Sequence, residues 1–348
     1  MQLSEFDYRL PEARIAQVPA EPRDAARLLI DLGDAGVRHQ HVRDLVGHLE
    51  PGDLMVVNDT KVLPARLGLH RSTGASVEVL LLEALDDDSR RWSALVRPGG
   101  RLRVGETLRH GETGCEVLFS GRGSDEGTFE VEICHDGDVL TFLDRCGQMP
   151  LPPYLDSSSV PKNAVERYQT VYARRPASAA APTAGLHLTP ELLTAIRDKG
   201  VEIAPVELVV GVDTFRPITE DDPLQHPMHS EFYAVTDQVM EKADRARRVV
   251  AVGTTAVRCL ESAATFGELS GRTRLYIHRG YDWKVVDLMM TNFHLPRTTL
   301  LVMIDAFIGP RWRGLYHLAL DHDYRFLSFG DAMLLNRHLA GRGDDVPR

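Results

Sequence analysis

The chain is poor in cysteine. Its four are Cys115, Cys134, Cys146 and Cys259, and no two form a C-x-x-C pair. Without closely spaced thiols or an H-E-x-x-H helix a zinc site is not expected, and the four read as buried free thiols of a reducing compartment. Long apolar runs are also missing: none approaches the roughly 18 residues of a membrane-spanning helix. The opening Met1-Gln2-Leu3-Ser4-Glu5-Phe6-Asp7-Tyr8 has neither the basic nor the apolar region of a secretory signal. A cytoplasmic protein with no membrane partner is the expectation. Positive charge is scarce, with 40 Lys and Arg against 50 Asp and Glu, a net charge of −10. That argues against tight non-specific nucleic-acid binding, which rests on phosphate neutralisation, but leaves room for an enzyme that reads one RNA through a local basic patch. No G-x-G-x-x-G or Walker pattern is present, so there is no dinucleotide or P-loop signature. With no internal repeat and no heptad pattern, a monomer is expected.

What is present is an ordinary globular composition, 43% apolar and 26% charged, over 348 residues. That is enough for two domains, or for one large domain carrying an insertion. In residues 1–61, Pro11 stands where a helix can begin ahead of Glu12-Ala13-Arg14-Ile15-Ala16. Leu28-Leu29-Ile30-Asp31 and Leu54-Met55-Val56-Val57 read as strands, the second opening into the polar loop Asn58-Asp59-Thr60. Residues 62–150 change character: short β-rich runs at 77–82, 92–96, 115–119 and 128–133 are separated by Gly-, Asp- and Ser-rich turns, the pattern of a small barrel or closed sheet. With 15 acidic and 10 basic residues, this part is not the main phosphate binder unless its arginines cluster in space. Pro150-Leu151-Pro152-Pro153-Tyr154 is a stiff connector. Beyond it helices and strands alternate: a helix begins at Pro190 with Thr189 as N-cap, and a strand covers 201–210. A second helix covers 236–248 and a buried strand 249–252. Gly253-Thr254-Thr255 then turns into another helix, and Leu300-Leu301-Val302-Met303-Ile304 is apolar and buried. The tail 341–348 is expected to fray. The predicted architecture is a layered α/β domain, residues 1–61 and 151–348, interrupted by a β-barrel-like insertion, 62–150.

Five segments have residues suited to chemistry. Ala180-Ala181-Pro182-Thr183-Ala184-Gly185-Leu186-His187 is built of small residues ahead of a helix, where backbone can approach a ligand; it reads equally as a tight loop with a solvent-facing His187. Val252-Gly253-Thr254-Thr255-Ala256-Val257-Arg258 is a strand–turn–helix whose hydroxyl and amide donors can meet a carboxylate or ribose, or simply cap the helix. In Thr291-Asn292-Phe293-His294-Leu295-Pro296, Phe293 could stack on a purine while Asn292 and His294 bond its edge; a packed loop is the alternative. His226-Pro227-Met228-His229-Ser230-Glu231 has two histidines three apart, but no third metal ligand is signalled, so acid–base or structural roles are expected instead. In Asn58-Asp59-Thr60-Lys61-Val62-Leu63-Pro64-Ala65-Arg66 the polar cluster could line a cleft, with Lys61 and Arg66 meeting a phosphate, or cap an interdomain turn. Basic residues gather weakly at Arg174-Arg175, at Lys242, Arg245, Arg247 and Arg248, and at Arg311 and Arg313; such runs are usually solvated faces and less often RNA contacts.

Taken together these segments resemble one family, the S-adenosylmethionine:tRNA ribosyltransferase-isomerases of queuosine biosynthesis. The resemblance runs from Phe6-Asp7-Tyr8 to Ser328-Phe329-Gly330-Asp331-Ala332-Met333-Leu334 and includes Arg23-Asp24-Ala25-Ala26-Arg27, Val57-Asn58-Asp59-Thr60-Lys61 and Arg167-Tyr168-Gln169-Thr170-Val171-Tyr172, besides the segments above. It implies an α/β domain with a barrel-like insertion. It also implies a reaction: the amine of 7-aminomethyl-7-deazaguanine in the tRNA wobble position attacks the ribose of S-adenosylmethionine, adenine and methionine leave, and the ribose becomes an epoxycyclopentane. S-adenosylmethionine is then a consumed substrate, with no metal or redox cofactor. Such chemistry needs a base for the proton beside the sulfonium and a donor for departing adenine, and histidines suit both near neutral pH. His187, His229 and His294 are the catalytic candidates. Thr183, Thr254, Thr255, Asn292 and Phe293 are candidates to hold the substrate, and Asn58, Asp59 and Arg258 are weaker ones.

The chain departs from the family pattern at several places. Where the family has histidine and glycine in a His-Val-Gly-x-Gly-Thr-Phe-Arg-Pro stretch, this chain has Val209 and Asp213. Arg279-Gly280-Tyr281 stands for Pro-Gly-Tyr, Leu186-His187-Leu188-Thr189 for Leu-His-Phe-Thr, and Asp305-Ala306-Phe307 for Ser-Ala-Phe. Either these positions drift freely, or the protein is a paralogue with another acceptor, such as a free 7-deazapurine, or a non-catalytic binding protein.

Overall fold

A computed structural model describes residues 1–339 apart from 87, 126, 136, 156–160, 179 and 212–216. Asp213 and the tail 341–348 lie outside the described residues. The main sheet has nine strands in the order Ser270–Thr273, Glu231–Ala234, Glu202–Leu208, Leu54–Asn58, Val249–Val252, Leu288–Asn292, Ala332–Asn336, Arg27–Asp31, Val37–His41. From Glu202–Leu208 to Leu288–Asn292 four neighbouring strands run parallel. Leu54–Val57, Val249–Val252 and Leu288–Met290 are apolar and buried because both faces are covered, whereas Glu202 and Pro205 of the outermost of the four are exposed. Val56, Ala204, Ala251 and Met289 point to one layer, with Ala256, Val257 and Leu260 of the helix Thr254–Phe266 and the buried helix Thr299–Ile308. Met55, Val57, Val250 and Met290 point to the other, against Leu192, Leu193 and Ile196 of the helix Pro190–Asp198. That helix starts where the sequence places it, with the Thr189 hydroxyl accepting from the Leu192 N–H at 3.1 Å.

The second body is a closed sheet. Arg66–His70, Ser76–Ala84, Arg91–Arg97, Phe129–Cys134, Glu116–Arg122 and Glu106–Arg109 pair in turn, and His70 pairs with Arg109 to close the circle. Alternation makes its core: Trp92, Ala94 and Val96 point in while their neighbours face outward. The helix Val139–Cys146 plugs it with Phe142 and Leu143. The architecture is thus the α/β domain with a barrel insertion predicted from the sequence. Among the described residues no helix is long and apolar enough to cross a membrane.

Three local expectations are corrected. The helix expected after Pro11 is a single 3-10 turn, Glu12–Arg14, because Ala16 N–H and Arg14 C=O bond to Phe326 instead. The helix expected over 236–248 is Asp237–Arg245. The chain extends at Ala246 because Arg247 N–H donates to Gly52 C=O and Arg248 C=O accepts from Leu54, feeding the next strand. The four thiols are not all free and buried: Cys115 and Cys146 form a disulfide and Cys134 is exposed, leaving Cys259 as the buried free thiol. The barrel brings the end of its helix beside Cys115, a closeness that a separation of 31 residues does not reveal.

Candidate active site

In a parallel sheet, loops leaving the strand carboxyl ends meet along one edge. Here they bring together three of the candidate segments. After Val249–Val252 comes Gly253 at φ 88°, a conformation that suits glycine. It allows the chain to enter the helix Thr254–Phe266 at once, with no side-chain cap on that helix. After Leu288–Asn292 come Phe293 and His294, and the 3-10 turn Thr183–His187 packs beside that strand end. Two adjoining cavities open here, and both are bordered by Thr254, Thr255 and Leu300.

The first cavity is also bordered by Thr183, Asn292, His294, Tyr154 and Ser328. Asn292 is its organising residue. Its Oδ1 accepts from Thr183 Oγ1 at 3.0 Å, and its Nδ2 lies 3.1 Å from His187 Nε2 and 3.2 Å from Leu327 O. An amide donor facing that nitrogen makes His187 Nε2 an acceptor, so the ring is neutral. Burial lowers the His187 pKa to about 4, helped by the positive charges of Arg325 and Arg23. His294 is likewise neutral, lowered to about 3 by burial, and its Nε2 lies 2.9 Å from Thr291 Oγ1. His294 borders the cavity, whereas His187 does not and meets it only through the Asn292 amide. Tyr154 OH and Ser328 Oγ, 2.6 Å apart, belong to cavity-lining residues that the sequence did not single out. Tyr154 read as a stiff connector, and the only signal was that both lie in segments carrying the resemblance.

The second cavity adds His229, Glu231, Arg258 and Met228, with aliphatic walls from Leu275, Ile277 and Met303. Arg258 and Glu231, both under a tenth exposed, form an ion pair. Arg258 also donates to the carbonyls of Leu275 at 3.1 Å and of His229 and Thr273 at 3.3 Å. Glu231 Oε1 accepts from Gly211 N–H at 3.1 Å. The pair thereby fixes His229, which is only partly buried. His226, the other histidine of that segment, bonds Glu220 at 2.9 Å. Among the described residues no group of three or more His, Cys, Asp or Glu is placed to hold a metal.

Other candidates are used structurally. Phe293 touches the first cavity, but its ring is wholly buried against Tyr316, Tyr324 and Phe326, so stacking on a purine is corrected to core packing. The Asn58 amide bridges strands, donating to Leu208 O at 3.0 Å and accepting from Leu208 N–H at 3.2 Å. Asp59 borders neither cavity; it lies near Arg174, with its carboxyl pKa raised by burial. Arg66 bonds Glu78 and Leu151 O, while Lys61 is exposed. The basic cluster after 241 is neutralised locally, by Lys242–Glu202, Arg245–Glu241, Arg247–Glu50 and Arg248–Asp53 pairs. Arg311 is paired with Asp31, Arg175 with Glu207, and Arg313 bonds Glu5 O.

A cleft at the carboxyl edge of a parallel sheet, bordered by the neutral His294, by Asn292 and threonine hydroxyls and by an uncapped helix start, fits an α/β enzyme that binds a small substrate. Comparison with known proteins narrows this. Residues 3–335 match the family model described as queuosine biosynthesis protein. The S-adenosylmethionine:tRNA ribosyltransferase-isomerase of Moorella thermoacetica is 47% identical over 346 residues, covering 96% of this chain and 100% of that one. Its counterpart in Rubrobacter xylanophilus is 47% identical over 337 residues, 96% of this chain and 98% of that one. The crystal structure of the S-adenosylmethionine tRNA ribosyltransferase of Thermotoga maritima is similar at 37% identity and a TM-score of 0.53, covering 95% of this chain and 99% of that one. The chain belongs to the queuosine biosynthesis family of S-adenosylmethionine:tRNA ribosyltransferase-isomerases. Such full-length likeness does not favour a paralogue with another acceptor or a non-catalytic binding protein.

Proposed function

We propose that the protein transfers the ribosyl part of S-adenosylmethionine to 7-aminomethyl-7-deazaguanine at the wobble position of tRNA and isomerises it to the epoxycyclopentane of epoxyqueuosine, releasing adenine and methionine. The observation that carries this reading is the meeting of two cavities at Thr254 and Thr255, in a chain matched end to end by enzymes named for that reaction. A substrate with an adenosine end and an amino-acid end needs two such compartments, joined where the bonds change.

The residues divide by what burial allows. His229 borders the second cavity and keeps contact with solvent, so it is the group to take the proton from the carbon beside the sulfonium and pass it on. His294, held neutral, serves as an uncharged hydrogen-bond partner and not as an imidazolium acid. Thr183 and Asn292 shape the wall of the first cavity, with His187 fixing the Asn292 amide. S-adenosylmethionine is consumed, and no metal or redox cofactor is needed. The protein works as a cytoplasmic monomer. With a net charge of −10, its grip on tRNA is local and salt-sensitive.

Adenine release from S-adenosylmethionine, measured with and without tRNA carrying 7-aminomethyl-7-deazaguanine, tests the reading. Release only with that tRNA is expected. Binding of S-adenosylmethionine without release in its presence would overturn it.

A further inference from the structure

The start of the helix Thr254–Phe266 is open. Its N-cap is Gly253, which supplies no side-chain acceptor, and the first N–H groups of any helix have no partner inside it. These 13 residues of aligned peptide dipoles place partial positive charge at Thr254 and Thr255. A second, independent observation lies at the same place. The Thr255 hydroxyl is buried and has no hydrogen-bond partner, although Thr255 borders both cavities. A buried hydroxyl without a partner is costly, and an anion at the helix start would relieve it.

The second cavity also tells which anion. The ion pair of Arg258 and Glu231 sits in one wall and thioether and aliphatic groups from Met228, Leu275 and Met303 in another. An ion pair with all but one of the arginine N–H groups already engaged adds little net charge. The wall therefore suits a zwitterion on a short apolar stem better than a bare phosphate. We propose that this cavity holds the amino-acid end of S-adenosylmethionine, with its α-carboxylate on the N-terminus of the helix Thr254–Phe266 and accepting a hydrogen bond from Thr255 Oγ1. The adenosine end then occupies the cavity of Asn292 and Thr183. This rests on S-adenosylmethionine being the substrate, as proposed above, and adds which end lies where.

The test crosses a ligand change with a side-chain change. Affinities of the full-length protein for S-adenosylmethionine and for its decarboxylated analogue are measured by calorimetry, in the unaltered protein, Thr255→Val and Thr255→Ser. The unaltered protein is expected to bind the decarboxylated analogue about tenfold or more weakly. Thr255→Val is expected to weaken S-adenosylmethionine by about tenfold and the analogue by less than about twofold, as befits one hydrogen bond to a charged group, with Thr255→Ser restoring most of the loss. Equal affinity of the unaltered protein for both ligands would overturn the proposal, and that arm needs no variant to fold. An equal loss for both ligands in Thr255→Val would overturn it too. So would a Thr255→Val protein that binds S-adenosylmethionine normally but tRNA more weakly, since the anion would then be a phosphate. A protein that binds no S-adenosylmethionine at all would instead remove the functional reading on which this rests.

Discussion

Arg279 Nη2 lies 2.9 Å from the wholly buried carboxylate of Asp305, which also accepts from Trp312 Nε1 at 3.0 Å. Both residues depart from the family pattern, Arg279 from a proline and Asp305 from a serine. They are 26 residues apart in sequence and bonded in the fold. A buried carboxylate without a cation is costly, so the two departures fit each other and need no change of acceptor to explain them. A double-mutant cycle checks this. Arg279→Ala and Asp305→Ser are each expected to destabilise, by about 1–3 kcal/mol, and the pair together by clearly less than the sum. Additive losses in urea unfolding would show that the two positions drifted independently.

Stability should fall on acidification in a defined window. Burial holds His187 at about 4 and His294 at about 3, against an ordinary 6.5. As pH drops below about 6.5 the unfolded chain takes up protons that the native chain refuses. The contribution of these neutral rings is therefore fully present above pH 6.5 and is lost progressively towards pH 4 and 3. Between pH 6.5 and 5 the loss is about 2 kcal/mol for each ring. Thermal midpoints measured across that range should decline less steeply in His187→Gln and His294→Gln. An unchanged slope in both would mean that neither ring is buried neutral.

Asn292 is the most demanding position of the first cavity. Its Nδ2 serves His187 Nε2 and Leu327 O, and its Oδ1 serves Thr183. Asn292→Asp keeps the shape but replaces both N–H donors by a lone-pair oxygen. Adenine release is expected to fall by about a hundredfold or more, mainly in kcat, with a stability loss of about 1–3 kcal/mol. A change confined to KM would instead make Asn292 a plain binding residue.

Val209 is the departure that most threatens catalysis in the sequence, since valine moves no proton. Leu208 borders the second cavity and Val210 the first, while Val209 borders a hollow that it shares with Leu82, Glu83 and Ser93 of the barrel and with His229 and Glu231 of the second cavity. Val209 lines neither of those two cavities but shares this hollow with His229, so a substitution there is expected to act on bond making only through His229. Val209→His should change kcat for adenine release by less than about threefold, a barrier change of under ~1 kcal/mol. A tenfold gain would show that this position reaches the chemistry.

Periodicity and turn chemistry carried the fold in the sequence. The short β-rich run 92–96 between turns announced a barrel strand, the unbroken apolar run Val249–Val252 a buried one, and Thr189-Pro190 a helix start. These are local rules, and the nearest neighbours obey them whatever the rest of the chain does. Motifs likewise pointed to Thr183, Thr254, Asn292 and His294, which the strand carboxyl ends bring to one place. What the sequence could not say was which polar groups remain available. Asn58 is spent on Leu208, 150 residues away, Arg258 on Glu231, and Phe293 on an aromatic core assembled from the end of the chain. Thr255 keeps a hydroxyl with no partner. Whether a donor is satisfied depends on distant residues that only tertiary packing brings within 3 Å or so. For that reason the elements were written locally, and the division between structural and ligand-facing side chains was decided by the fold.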